Sequence, residues 1–109
     1  MGRATLTEFE FMVVAAILRV ADGAYGVAIA EEITRRTGRD VSIGALYRTL
    51  KRLEKRGLLT SRMGEATPER GGRAKTYYEV GPPGVGALRE RTRQIRSLLD
   101  GLSFEPGLR

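Results

Sequence analysis

The chain contains neither cysteine nor histidine. Without cysteine there is no disulfide framework and no thiolate metal site. Without histidine the commonest metal ligand and the commonest general acid–base group are both missing. An enzyme made from this chain would have to rely on Asp, Glu, Lys, Tyr or Ser, and no two of these stand in a recognisable acid–base or nucleophile arrangement. No catalytic residue, metal ligand or cofactor is therefore expected. Long apolar runs are lacking as well. The longest, Phe11–Leu18, is too short to span a bilayer. The opening Met1-Gly2-Arg3-Ala4-Thr5 has neither the charged-then-apolar layout nor the small-residue cleavage site of a signal peptide. A soluble cytoplasmic protein, not associated with a membrane, is expected. No low-complexity tract or internal repeat is seen. The length of 109 residues suits one domain, small enough for burial against a partner to help it.

What the chain does have is positive charge, gathered in one place. The formal net charge is +6, and all of it falls between Ser42 and Lys75. That stretch holds Arg48, Lys51, Arg52, Lys55, Arg56, Arg62, Arg70, Arg73 and Lys75 against Glu54, Glu65 and Glu69. A cation excess confined to one helix and the hairpin after it reads as a footprint for a polyanion, and double-stranded DNA is the expected partner.

The order of elements agrees. Thr7 and Glu10 fit a capping box, opening a first helix that runs to about Ala21. Its apolar residues go nearly all the way round, whereas a surface helix shows one stripe. A second protomer is the expected partner for the extra face, through Phe9, Met12, Val13 and Ile17; the alternative is a fully buried central helix. Phe9, Phe11 and Met12 could instead border a cavity for a small-molecule effector, although dimer packing is favoured. Tyr25-Gly26 opens a second helix, which Thr37-Gly38 ends. Ser42 is a good N-cap for a third helix reaching Arg56 and closed by Gly57. On that helix Ile43, Leu46, Leu50 and Leu53 line the core side. Arg48, Lys51, Arg52, Lys55 and Arg56 take the remaining arc, with Ala45 and Thr49 small enough for close approach. A lone Glu54 cannot balance five cations. The layout is a helix-turn-helix whose second helix enters the major groove.

Leu58–Met63 and Thr76–Val80 read as two strands joined by a long basic tip with Gly71-Gly72 between Arg70 and Arg73, which is a wing. Tyr77 and Tyr78 alternate, so one faces the core and one the surface. Gly81-Pro82-Pro83-Gly84 breaks the strand, and a last helix follows from about Pro83 to Asp100. Leu88, Ile95 and Leu102 recur at seven, and Leu98 and Leu99 widen the seam, as a dimerisation helix requires. The fold class is therefore mainly α with a small β-hairpin. Residues 1–81 form a winged helix-turn-helix DNA-binding domain, 82–102 a C-terminal dimerisation helix, and 103–109 a loose tail.

Four stretches, in order and at matching spacings, resemble the PadR-like family of transcriptional regulators. They are Leu6-Thr7-Glu8-Phe9-Glu10, then Tyr25-Gly26-Val27-Ala28-Ile29, then the run from Val41-Ser42-Ile43-Gly44-Ala45-Leu46-Tyr47-Arg48 to Gly57-Leu58-Leu59, and finally Gly71-Gly72-Arg73-Ala74-Lys75-Thr76-Tyr77-Tyr78. The resemblance implies a winged helix-turn-helix, a homodimer and repression by operator binding. It places DNA contacts at Ser42, Gly44, Tyr47, Arg48, Lys51 and the Arg70–Lys75 tip, including Arg73 and Lys75. Tyr47 by spacing alone could be core or could reach a phosphate; the resemblance favours DNA. Gly81-Pro82-Pro83-Gly84 stands where the family usually has a Thr-Glu-Ala-Gly type helix start, and the single terminal helix resembles the family's short subgroup. The alternative function is a winged-helix module that holds an acidic protein and ignores nucleic acid.

Overall fold

The computed structural model describes residues 5–64 and 74–104. Helix α1 (Glu8–Val20) begins at the expected capping box. The Glu10 amide donates to Thr7 Oγ1 at 3.2 Å, and the Thr7 amide donates to Glu10 Oε1 at 2.9 Å. Two orphan donors of the first turn are thereby satisfied. The helix stops at Ala21, whose φ of +62° belongs to a region that glycine fills more readily. A 3-10 turn, Ala21–Gly23, leads into α2 (Gly26–Thr37), then α3 (Ile43–Lys55). Gly38 and Gly57 take the left-handed conformation that ends these two helices, with φ of +75° and +80°.

Strand β1 (Leu59–Met63) pairs antiparallel with β2 (Thr76–Val80), from Leu59 opposite Val80 to Met63 opposite Thr76. The free edge of β2 is tied to the segment before α2: the Tyr78 amide donates to the Ala24 carbonyl at 2.8 Å, and Tyr25 bridges Tyr77. Tyr78 packs on the core. Tyr77 sets its ring edge-on to Tyr25 at 5.8 Å, so the two tyrosines divide between faces as alternation requires. Helix α4 (Pro82–Leu99) starts with both prolines in its first turn. A Cβ on Gly84 would collide with the Leu58 carbonyl and Val80, so this glycine lets the helix start lie directly on the hairpin. No described helix is long and apolar enough to cross a membrane.

The core is one cluster: Val13, Val14, Ala16 and Ile17 of α1, Ile29 and Ile33 of α2, Leu46, Leu50 and Leu53 of α3, Leu58, Leu59 and Ala87. Helix α1 packs against α2, α3, α4 and β2. Much of its apolar surface is thus buried inside one protomer, while Phe9, Phe11, Met12 and Val20 stay partly exposed and Leu18 is exposed. Val13 and Ile17 are fully buried in the protomer and cannot line a dimer surface. Two α3 residues also exchange roles. Ile43, expected in the core, is 44% exposed, and Thr49, expected on the open arc, is buried. The helix overhangs the core by its first turn, and the core stripe is centred on Leu46, Leu50 and Leu53 with Thr49 filling the gap beside them.

Candidate nucleic-acid interface

Helix α3 is held at both ends. Ser42 caps it, its Oγ accepting from the Ala45 amide at 3.2 Å. At the other end a buried carboxylate from α1 clamps it. Glu10 accepts from Arg52 Nε at 2.9 Å and from Arg56 at 3.2 Å, while Arg56 also donates to the Thr5 carbonyl at 2.8 Å. Burial alone would raise the Glu10 carboxyl, but the Thr7 amide, the Arg52 hydrogen bond and the charges of Arg56 and Arg52 outweigh it and hold it below its ordinary value.

The clamp takes up Arg52, which was expected among the DNA contacts. Its guanidinium turns back to Glu10, as does that of Arg56, so neither is an unpaired cation on the outer arc. Glu54, in turn, accepts from Ser61 of β1 at 2.6 Å, and no ion pair joins it to the arc among the described residues. Among the cations of α1 and α2, Arg19, Arg35 and Arg36 all converge on Glu32. Among the described residues, Arg48, Lys51 and Lys55 are exposed and carry no ion pair. A sequence reading could not find the Glu10 pairing, since its partners lie 42 and 46 positions away. The signal that could have raised it is Glu10 itself, an acidic residue set between Phe9 and Phe11 in a largely apolar helix.

The N-terminal half of α3 presents Ser42, Ile43, Gly44, Tyr47 and Arg48 to solvent. A Cβ on Gly44 would meet nothing closer than Arg48 at 3.6 Å. Internal packing therefore does not demand glycine there, which leaves room for a close external approach. Tyr47 is half exposed, and its ring and hydroxyl occupy the space that a Cβ on Gly26 would take. It fastens α3 to the start of α2 while keeping one side open. Burial pushes the Tyr78 phenol up, helped by the neighbouring Tyr47 and Glu54, so this group stays neutral between α3 and the hairpin.

At the hairpin base, the Lys75 ammonium lies 5.1 Å from the Tyr25 ring and Arg62 lies 4.8 Å from Tyr77. Arg70 and Arg73 lie outside the described residues. On α1, Phe9 and Met12 are only partly exposed, and Arg39 covers both, 5.2 Å from the Phe9 ring and 3.8 Å from the Met12 sulfur. Phe11 is covered by Arg91 at 5.5 Å. Each of these three residues, expected to border an effector cavity, thus touches an arginine of its own chain and keeps part of its surface exposed. Helix α4 differs. Leu88 leans on the core, Ile95 is half-buried, and Leu98 and Leu99 stand exposed, Leu98 by 77%. The helix ends at Leu99, with Asp100 extended and Gly101 at positive φ, so Leu102, expected in its seam, lies beyond it and is exposed, as is Phe104.

The sequence profile of the transcriptional regulator PadR-like family matches residues 16–90. A transcriptional regulator from Mycobacterium tuberculosis is 38% identical over 87 residues, covering 76% of this chain and 77% of its own. A solved PadR family transcriptional regulator from Eggerthella lenta is similar with a TM-score of 0.65 and 28% identity, over 86% of this chain and 81% of that one. A winged-helix DNA-binding protein from STIV superposes with a TM-score of 0.66 at 16% identity, over 85% of this chain and 92% of that one, which shows the shared winged-helix fold.

Proposed function

The chain belongs to the PadR-like family of transcriptional regulators, and on that premise we propose that it is a cytoplasmic repressor that binds double-stranded DNA as a homodimer. The observation that carries this reading is the outer face of α3, where Arg48, Lys51 and Lys55 are exposed and free of ion pairs among the described residues. Cations left unpaired along one exposed helix face suit a phosphate backbone, which supplies most of the affinity of such proteins. Ser42, Gly44 and Tyr47 sit at the end of α3 that reaches deepest, and Arg48 is the side chain best placed to meet a base edge. Lys75, with Arg70 and Arg73 of the tip, would lie along the adjacent backbone.

Residues 1–81 would act as the DNA-binding unit and 82–102 as the dimerisation helix, with 103–109 outside both. Exposed Leu98 and Leu99, continuing the seam of Leu88 and Ile95, favour α4 as the surface that pairs, with exposed Leu102 just beyond its end. Two-fold symmetry then asks for a pseudo-palindromic operator with half-sites about one helical turn apart. Selection of bound fragments from a random duplex pool tests this reading. The expected result is an inverted repeat; recovery of no preferred sequence, with no retention of duplex at low salt, would contradict it.

A further inference from the structure

We propose that Ile43 is a specificity-determining residue that reads the 5-methyl group of a thymine in the major groove. The inference rests on the DNA-binding reading of α3 and deepens it. Ile43 is the first residue of the helix and is 44% exposed, whereas the other large aliphatic residues of α3, Leu46, Leu50 and Leu53, are fully buried. A single exposed isoleucine is ordinary on a protein surface. This one, however, shares a helix face with Tyr47 and Lys51, four and eight positions on, and sits between the exposed cap Ser42 and the bare Gly44. The N-terminal residues of a recognition helix are those that meet base edges.

The chemistry of the side chain narrows the choice. Its branched alkyl group can neither donate nor accept a hydrogen bond, so it gains nothing from phosphate or from the polar edges of guanine, adenine or cytosine. The one apolar feature in the major groove is the thymine methyl. The absent side chain at Gly44 allows the approach, since a Cβ there has no internal neighbour closer than 3.6 Å. Any other base opposite Ile43 would leave a polar edge facing alkyl carbon, and that unpaired edge supplies the discrimination.

The test uses the full chain and the duplex it selects. Each thymine of that duplex is replaced singly by deoxyuridine, which removes only the methyl group. At one position in each half-site, binding by the wild type is expected to weaken about fourfold, the worth of one buried methyl. Ile43→Ala is expected to bind the thymine and deoxyuridine duplexes equally, with the wild-type salt dependence, and Ile43→Val to keep part of the preference. Sensitivity at no thymine, or sensitivity that persists in Ile43→Ala, would overturn the assignment of Ile43 while leaving the DNA-binding reading intact. Failure of the wild type to retain any duplex at low salt would overturn both.

Discussion

Glu10 and Arg52 lie 42 positions apart, yet the Arg52 Nε–H donates to the Glu10 carboxylate at 2.9 Å, joining α1 to the C-terminal half of α3. The same carboxylate holds Arg56 and the Thr7 amide, so one side chain ends α1's capping box and fixes the far end of α3. Arg52 is half exposed, which discounts the ion pair, but a buried acceptor of charge-assisted hydrogen bonds is costly to remove. Glu10→Gln is expected to lower unfolding stability by about 1–2 kcal/mol, read by urea titration. A change within a few tenths of that unit would show that the clamp contributes little.

The clamp also sorts the cations of α3. Lys51→Gln is expected to flatten the dependence of log affinity on log salt by about 1.8 for a dimer, one phosphate contact per protomer. Arg52→Gln is expected to leave that slope unchanged, because its charge already faces Glu10. Equal flattening by both substitutions would mean that Arg52 leaves the carboxylate for DNA.

Acid should expose the same link. The Glu10 carboxyl is held below its ordinary value in the fold, so its stabilisation is complete above the unfolded-chain value of about 4.3 and is lost as pH falls through the lower folded value. The wild type should therefore lose melting temperature below about pH 4.5 more steeply than Glu10→Gln. Parallel profiles for the two proteins would remove Glu10 from the account of acid sensitivity.

Gly26 and Tyr47 compete for one space. Gly26→Ala should overpack the junction of α2 and α3, costing about 1–3 kcal/mol and displacing Tyr47 from the exposed face. Adding Tyr47→Ala should recover part of that loss in a double-mutant cycle, since the collision goes with the ring. Simple additivity of the two losses would place their effects elsewhere.

On α4, Leu98→Glu or Leu99→Glu puts charge into the exposed apolar seam. Both are expected to give a monomer by sedimentation that binds DNA weakly, since each half-site then acts alone. An unchanged dimer would move the interface off this helix.

Local chemistry made much of the fold legible. The Thr7–Glu10 box announced the start of α1, the β-branched and aromatic run Thr76–Val80 marked the return strand to the residue, and Leu46, Leu50 and Leu53 declared the inner face of α3. Long-range relations were not legible. Periodicity gives the direction of an apolar stripe but not how far a core extends along it, so Ile43 was assigned inward and Thr49 outward. An apolar helix looks the same whether a given face meets a partner or the rest of its own domain, and Val13 and Ile17 of α1 do the latter. Of the site, Ser42, Gly44, Tyr47, Arg48, Lys51 and Lys55 are where the sequence implied, all on one exposed stretch of α3 or at its edge. Arg52 is not, because its partner comes from a different helix.

The most direct measurement is the affinity for the selected duplex across salt, from about 50 to 200 mM. With Lys51, Lys55 and Lys75 of two protomers each neutralising a phosphate, the logarithmic slope should be about −5 or steeper, a loss of roughly a thousandfold over that range. A slope near zero would mean that these cations do not meet DNA, and the reading of α3 as a recognition helix would fail with it.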